Sequence, residues 1–493
     1  MGYGLALAGV YVLGTLLLYL SKYKRYLKII FLIRTKHFIK IIDAISRISP
    51  RLWTLLTDIS LTLFFGGVGF AYLSKNNSQN SLRRVFAVIG LLTALSFYYN
   101  MIMLLVVVAA LAVGLPSLKK RNTLADYISG SILITALTIN IPSALLGMLG
   151  LSLGVPAVYL LAIASIEGLF GVLPILFFLF IIQAYDIVFM GSQQPGVSPA
   201  VPDVREGELG LSFPGTTVFI PIAYALIAFI TALVCHEFAH GIIARAHDLK
   251  LKSTGLLTLG ALPIGAFVEP DEEELKKRPS LQKMQIYIAG SFSNLLVSLI
   301  AGMVFLSIYL NSPIVYSVLE PQGMQVVGYG VNSTIEGLID KGEIIQSIGD
   351  MPVKYTSQFQ EVFTLLEPGT NTTVITDKES YNVTLGANPE NKSKAYMGVA
   401  VVQYNQILEF ITQSLFWIWF INFNLCFVNL LPIVPFDGWR ILQELAVSFR
   451  VKQQDAMNIV KGVVAFSLLL LLLNALPLFT KAIGFLMEIL NSI

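Results

Sequence analysis

The sequence predicts a multi-span α-helical membrane protein with one small β-rich domain inserted between two of its spans. Of the 493 residues, 55% are hydrophobic and only 13% are charged, whereas soluble domains carry about 25% charged residues. A chain this apolar cannot cover itself with polar surface, so a soluble globular protein and a disordered chain are both excluded. Many of its apolar runs reach the length of about 20 residues that a helix needs to cross a bilayer.

Charge and cysteine content exclude two further classes. The formal net charge is only +3, which gives no indication of a nucleic-acid partner. The two cysteines, Cys235 and Cys426, both lie in apolar runs. A disulfide framework and a cysteine-rich zinc module are therefore excluded.

The apolar runs predict about nine or ten spans. The stretch 127–190 could hold two or three passes. Three passes, separated near 140–142 and 167–168, keep the flanking charges consistent with the positive-inside rule. The last run, 478–492, is short and is expected to lie in the interface. The other runs of spanning length are 3–20, 53–73, 85–117, 217–244, 287–310, 406–431 and 456–476.

Residues 21–51 are strongly basic, with nine Lys or Arg residues against one acid, Asp43. Positively charged segments next to a span stay in the cytoplasm, so this segment is expected on the cytoplasmic side. A basic amphipathic helix on the lipid surface is the predicted shape. The preceding apolar run, 1–20, lacks a cleavage site and is interpreted as a retained anchor.

Residues 313–404 differ from the rest of the chain, because they carry ten acids and five lysines. Short β-rich runs alternate there with turn residues, which predicts a small β-rich domain. Four Asn-x-Ser/Thr sequons favour an extracytoplasmic position for this domain. The sequons begin at Asn332, Asn371, Asn382 and Asn391, and the predicted strands are 324–329, 343–353, 372–376, 381–385 and 396–402.

The strongest chemical signal is the His-Glu-x-x-His motif of His236, Glu237 and His240. Two imidazoles four residues apart lie one turn apart on the same helix face, where they can share a zinc ion. The intervening Glu then faces the site. The motif lies in an almost uninterrupted apolar run, where ionisable residues are costly and functional by default.

A third ligand must come from another part of the chain. His247 lies two turns beyond His240, about 10 Å along the helix, which is too far. Asp437 is the better candidate, because it ends the apolar run 406–431 within a segment containing Pro432, Pro435 and Gly438. Its alternative role is to cap the helix that follows.

These motifs together resemble the site-2 protease family of intramembrane zinc metalloproteases, in its prokaryotic, archaeal-like form. The family combines His-Glu-x-x-His in one span with Asn-x-x-Pro-x-x-Pro-x-Asp-Gly in a later one, matched here by 429–438. The segment 255–270 resembles the family's membrane-re-entrant β-hairpin. Ala289-Gly290-Ser291-Phe292-Ser293-Asn294 resembles its Ala-Gly-Pro-x-x-Asn element, with Ser291 in place of Pro. The inserted domain resembles a PDZ domain, best at 342–350.

The resemblance implies a zinc metalloendopeptidase that cleaves transmembrane segments of membrane-protein substrates. Zn²⁺ is then bound by His236, His240 and Asp437, and Glu237 is the general base that later protonates the leaving amine. The amides of Asn294 and Asn429 bind the substrate backbone or the oxyanion, with hydrogen bonding between helices as the equally weighted alternative. A strand at 262–268 pairs with the extended substrate. Apart from the lipid bilayer, the implied partners are the substrates and a site-1-type protease that cuts first.

The predicted organisation places the zinc site toward the cytoplasmic side of the cell membrane and the PDZ-like domain outside the cytoplasm. Two other functions remain open: a transporter or channel, and an inactive PDZ scaffold with a structural metal site. The predicted segments are an N-terminal multi-span region of unknown role at 1–190, the first half of the protease core at 191–312, the PDZ-like domain at 313–404, the second half of the core at 405–445, and C-terminal membrane helices at 446–493.

Overall fold

A computed structural model describes most of the chain. The described residues are 2–21, 24–27, 30–77, 79–96, 108, 111–112, 122–148, 157–205, 207–449 and 452–492. The helices are α1 (Gly2–Leu20), α2 (His37–Ile48), α3 (Pro50–Asn76), α4 (Gln79–Ser96), α5 (Thr123–Met148), α6 (Ala157–Phe170), α7 (Leu173–Phe189), α8 (Ile222–Ala246), α9 (Glu272–Lys276), α10 (Ser280–Leu310), α11 (Ser312–Val318), α12 (Thr356–Leu365), α13 (Gln406–Val428), α14 (Gly438–Ser448) and α15 (Gln453–Ser492).

The strands are short and fall into separate sheets. They are β1 (Lys24–Leu27), β2 (Ile30–Thr35), β3 (Val201–Arg205), β4 (Glu208–Ser212), β5 (Phe219–Pro221), β6 (Leu251–Leu259), β7 (Leu262–Pro270), β8 (Gly323–Tyr329), β9 (Ile344–Ile348), β10 (Met351–Pro352), β11 (Asn371–Thr376), β12 (Ser380–Thr384), β13 (Gly386–Ala387), β14 (Ala395–Tyr396) and β15 (Val399–Tyr404).

Long apolar helices confirm the predicted class of multi-span helical membrane protein. Within the described residues, five helices are long and apolar enough to cross a bilayer: Pro50–Asn76, Ile222–Ala246, Ser280–Leu310, Gln406–Val428 and the Gln454–Lys481 part of α15. Three shorter apolar helices are Tyr11–Leu20, Val158–Phe170 and Leu173–Phe189. Most of the run 85–117 lies outside the described residues, so the total of nine or ten spans stays a prediction.

The described residues of 127–190, for which three passes are predicted, form three helices, α5, α6 and α7. The expected break near 140–142 is wrong, because α5 continues to Met148. Proline inside a membrane helix is tolerated when neighbouring groups satisfy the freed backbone. The second break lies at Gly171, which has φ +85° and donates its N–H to Glu167 O.

The basic segment 21–51 was predicted as one amphipathic helix, and this is wrong for its first half. Among its described residues, α2 and the first two residues of α3 are helical, while β1 and β2 precede α2 as strands. The residues of β2 are Ile-Phe-Leu-Ile-Arg-Thr, a composition that suits a strand. They pair antiparallel with β6, from Ile30 opposite Leu259 to Thr35 opposite Thr254. This long-range partner, which local periodicity does not reveal, makes the segment extended.

The sheet next to the metal-ligand helix has four strands in the order β1-β2-β6-β7. Strands β6 and β7 form the predicted hairpin over 255–270 and are antiparallel. The N-terminal strands cover the outer edge of β6. Within the described residues, β7 is therefore one of the two edge strands of this sheet, and β1 is the other.

The chain divides into two compact units, one formed by 1–298 with 420–493 and the other by 299–419. The second unit contains the predicted β-rich insertion. Its main sheet has the strand order β12-β11-β9-β8-β15, with β10 paired to β9. Each of the five segments predicted as β-rich contains strand residues, but 343–353 and 396–402 are each divided between two strands. Its core is a separate cluster of buried side chains that includes Met324, Ile345, Val374 and Val383.

Candidate metal centre

Helix α8 presents the two predicted histidines on one face. His236 and His240 are separated by one turn, and their Nε2 atoms lie 3.1 Å apart. The side chains are only 11% and 15% exposed. A spacing of four residues in a helix therefore brings the two nitrogens together, as the sequence predicted.

Asp437 completes the group from a distant part of the chain. Its Oδ2 lies 3.2 Å from His236 Nε2 and 3.1 Å from His240 Nε2. Asp437 precedes α14, but its side chain makes no capping hydrogen bond to that helix. The carboxylate therefore faces the histidines and does not act as the capping acid that the sequence left open.

The irregular segment between α13 and α14 directs Asp437 inward. The helix ends at Val428, and the N–H of Gly438 donates to Asn429 O at 2.8 Å. A Cβ at position 438 would lie 2.1 Å from Leu430 O. Only glycine fits there, because any side chain would collide with the backbone of the preceding turn.

The donor geometry suits one bound metal ion. With metal–ligand bonds of about 2.0–2.1 Å, tetrahedral donors lie roughly 3.3 Å apart, close to the observed 3.1–3.2 Å. Asp437 Oδ2 is buried and makes no hydrogen bond in the described structure. A shared cation would satisfy this oxygen and the lone pairs of both imidazoles, and the three residues form the His-His-Asp group expected of such a site.

The second nitrogen of each imidazole also has a neighbour. His240 Nδ1 donates to the carbonyl oxygen of Ile286 at 2.7 Å, which leaves Nε2 free to bind a metal. His236 Nδ1 lies 3.4 Å from the side-chain amide of Asn294, whose Oδ1 is buried without a partner. Rotating that amide by 180° places Oδ1 as the acceptor for His236 Nδ1–H, which satisfies both groups.

Glycine at position 290 of α10 makes room for the two imidazoles. A Cβ added there would lie 2.5 Å from His236 Nε2 and 2.5 Å from His240 Nε2. Gly290 belongs to the Ala-Gly-Ser-Phe-Ser-Asn motif, but no role for it was predicted from the sequence. The available signal was a single small residue inside a long apolar helix that packs against the His-Glu-x-x-His helix.

Glu237 lies at the same cavity, which has a volume of about 270 Å³. Its Oε2 accepts the backbone N–H of Val268, on the edge strand β7, at 2.9 Å. The base predicted from the motif is therefore held against the exposed edge of the sheet. The cavity is also lined by His236, His240, Asp437, Asn429, Arg440 and Tyr287.

The two predicted substrate-binding amides occupy different positions. Asn429 lines the cavity, with its Nδ2 donating to Leu425 O in its own helix at 3.0 Å. Asn294 is only 1% exposed and contacts His236. The structure therefore places Asn429 at the cavity beside Glu237, whereas the contacts of Asn294 correspond to the alternative of hydrogen bonding between helices.

Sequence reasoning missed two other residues of the cavity, Arg440 and Tyr287. The Arg440 guanidinium lies 5.5 Å from the centre of the Tyr287 ring. Arg440 lies three positions after Asp437. This short spacing was the signal that could have placed Arg440 in the same cavity. Cys235 lines a different, apolar cavity on the other side of α8.

Comparisons with known proteins show which family the chain resembles. A model of peptidase family M50 matches residues 224–478. An uncharacterized protein of Methanocaldococcus jannaschii is 30% identical over 222 residues, which cover 45% of this chain and 57% of that protein. A membrane-bound transcription factor site-2 protease homolog of Arabidopsis thaliana is 24% identical over 157 residues, which cover 31% of this chain and 30% of that protein.

One solved structure is similar to part of the chain. It is the PDZ domain of an SdrC-like protein from Listeria monocytogenes, with 15% identity and a TM-score of 0.15, and it covers 16% of this chain and 88% of that chain. The family model covers more than half of the 493 residues and includes the three clustered metal-ligand candidates and Glu237. We conclude that this chain belongs to peptidase family M50.

Proposed function

We propose that the protein is an intramembrane zinc endopeptidase that cleaves transmembrane segments of membrane proteins. The observation that carries this proposal is the meeting of His236, His240 and Asp437 beside Glu237, with the two histidines and Glu237 on a helix apolar enough to cross a bilayer. The curated relatives match this chain over 57% and 30% of their lengths. Because the chain spans only part of each relative, the proposed endopeptidase activity is supported by the geometry of the metal-ligand candidates and Glu237.

Zinc is the metal that best fits the three donors. Two imidazole nitrogens and one carboxylate oxygen form a donor set typical of catalytic zinc, which keeps one position open. When bound, zinc acts as a Lewis acid that acidifies water and polarises a peptide carbonyl. Ile286 O and Asn294 keep the two imidazoles oriented with Nε2 toward the ion.

Glu237 carries the protons in the proposed reaction. Its carboxylate takes a proton from the attacking water and then delivers it to the amine that leaves. The Val268 N–H holds Oε2 at 2.9 Å, so one oxygen is anchored and the other is free to face the water. We assign Asn429 to binding the substrate backbone or the oxyanion, because its side chain lines the same cavity.

The edge strand β7 provides a place for the substrate chain. Val268 lies opposite Thr254, and Ala266 lies opposite Leu256. Since the Val268 N–H points away from β6 toward Glu237, the backbone groups of Ala266 also point away from β6, because groups two residues apart face the same side. A transmembrane helix must open before cleavage, and its freed N–H and C=O groups need partners in lipid. The edge of β7 supplies them.

Removal of the metal should abolish cleavage. The purified full chain is expected to contain one zinc per protein and to cleave a model transmembrane peptide. A chelator should stop the cleavage, and added zinc should restore it. Elemental analysis together with the amount of cut peptide measures both quantities, and cleavage that persists in metal-free protein would contradict the proposal.

Replacing Ala266 with Pro should weaken substrate binding. Proline removes the N–H that points away from β6, and it is tolerated in an edge strand. We therefore expect KM to rise, so that kcat/KM falls about tenfold. This loss corresponds to one missing hydrogen bond and weaker neighbouring hydrogen bonds. Ala266→Val keeps the amide and is the matched control. Unchanged KM in Ala266→Pro, with the metal content of the wild type, would remove the pairing from the mechanism.

The orientation in the membrane follows from the charges near the spans. Arg245 in the last turn of the metal-ligand helix, and Lys250 and Lys252 shortly after it, support an orientation with the zinc site toward the cytoplasm. We propose that the β-rich insertion lies outside the cytoplasm, where it binds substrate tails or excludes large ectodomains after a first cut by another protease. Labelling of single cysteines at 252 and 332 with an impermeant reagent in intact cells tests this orientation.

A further inference from the structure

A buried carboxylate outside the family-matched segment has an unusually complete set of hydrogen bonds. Asp58, on α3, is only 1% exposed. Its Oδ1 accepts from Gln285 Nε2 at 2.6 Å, and its Oδ2 accepts from Asn77 Nδ2 at 2.6 Å and from Ser81 Oγ at 2.8 Å. Burial of a carboxylate is costly unless donors surround it, so these three donors define a specific site.

Gln285 links three helices through its side chain. It lies on α10, is 3% exposed, and accepts from His247 Nε2 at its Oε1 at 2.7 Å. The carboxylate of Asp58 accepts hydrogen bonds, so the amide nitrogen must face it and the amide oxygen must face His247. His247 directly follows the end of α8. The amide therefore joins α3 and α10 to the end of the metal-ligand helix.

The next residue of α10 orients a metal ligand. The carbonyl of Ile286 accepts from His240 Nδ1 at 2.7 Å, and Gly290, one turn further on, lies against both imidazoles. A small shift or rotation of this turn would move the carbonyl away from His240 or push the backbone into the site. Hydrogen bonds to Asp58 and to His247 hold both ends of the Gln285 amide, and they therefore also hold this turn of α10 in place.

Other contacts of the N-terminal region support the same helix. The Asp43 carboxylate accepts from the Arg245 guanidinium, near the end of α8. Ile42 packs against Gly241, where an added Cβ would lie 3.0 Å from the Ile42 side chain. Residues before the family-matched segment 224–478 therefore contact the metal-ligand helix directly.

We propose that Asp58 is a positioning residue for the metal centre, acting through Gln285 on the Ile286 carbonyl that orients His240. The proposal gives a role to the N-terminal region, whose function the sequence left open, and it rests on the proposed zinc site. It requires that the α3 carboxylate control metal affinity as well as stability. A purely structural Asp58 would change stability alone.

Zinc affinity of the full-length purified chain, measured by competition with a chelator, tests the proposal. Asp58→Ala and Gln285→Ala should each weaken zinc binding 10- to 100-fold, the range found when groups supporting a metal ligand are removed. The double variant should be no weaker than either single variant, because both break the same chain of contacts. Asp58→Asn keeps an acceptor for Gln285 and should bind zinc close to the wild-type value.

Asp126→Ala is the matched control, since Asp126 is a fully buried carboxylate on α5 that accepts from Ser74. It should lower the melting temperature and leave zinc affinity unchanged. Wild-type zinc affinity in both Asp58→Ala and Gln285→Ala would overturn the positioning role. If Asp58→Ala does not fold, Gln285→Ala and Asp58→Asn decide the question. A wild-type chain that binds no zinc would overturn the proposed function instead.

Discussion

Glu237→Gln should remove nearly all proteolysis while the protein keeps its metal. Glutamine has the same shape and can still accept the Val268 N–H that Glu237 accepts at 2.9 Å, but it cannot take a proton from water. General acid–base catalysis contributes about 10²–10⁴-fold, so the cleavage rate should fall by at least two orders of magnitude. The ligands His236, His240 and Asp437 are untouched, so zinc stoichiometry should remain that of the wild type.

The experiment compares the cleavage of a model transmembrane peptide with zinc content in the same preparations. Glu272→Gln removes an exposed acid from α9 and is the control for the loss of one negative charge. It should cleave like the wild type. Equal cleavage by Glu237→Gln and the wild type would exclude Glu237 as the base, and loss of zinc in Glu237→Gln would show that the residue supports the metal instead.

Gly290→Ala should abolish high-affinity metal binding with a single added methyl group. The new Cβ would lie 2.5 Å from the Nε2 atoms of both His236 and His240, well inside the contact distance of nonbonded atoms. Either the imidazoles turn away or α10 moves, and both changes separate the ligands. We expect zinc affinity to fall at least about 100-fold, the upper end of the losses seen when groups next to a metal ligand are altered, and proteolysis to fall with it.

Helix propensity cannot explain such a loss, because alanine is the better helix former by about 1 kcal/mol. Gly462→Ala is the control, since an added Cβ at this helical glycine on α15 meets no atom within 4 Å. It should keep zinc affinity and gain slightly in thermal stability. Wild-type zinc affinity in Gly290→Ala would mean that the imidazoles do not occupy the positions described above.

Local features of the chain were predictable because they depend on neighbours in sequence. The spacing of His236 and His240 places both on one face of any helix, whatever packs around it. The strands of 313–404 were also predictable, since alternation and turn residues act over a few positions. Asp437 was a candidate with an open alternative, because it lies about 200 residues from the histidines and no local rule joins them.

The incorrect predictions involve partners far away in the chain. Residues 30–35 were expected in a helix, but β6 offers a complete row of backbone partners and makes them extended. The break near 140–142 was expected from proline, but α5 continues to Met148, as membrane helices can tolerate proline. At residues 30–35, tertiary contacts outweigh the local preference of the residues.

The sequence alone determined a membrane-embedded helical chain with two histidines and a base on a single helix face, because hydropathy and helical periodicity act within one element. Only the tertiary structure decided that Asp437 faces those histidines, that Gly290 leaves them room, and that Asp58 accepts a hydrogen bond from Gln285 on α10. Each of these contacts joins residues far apart in sequence. Their positions follow from how the helices pack, which periodicity within one helix does not specify.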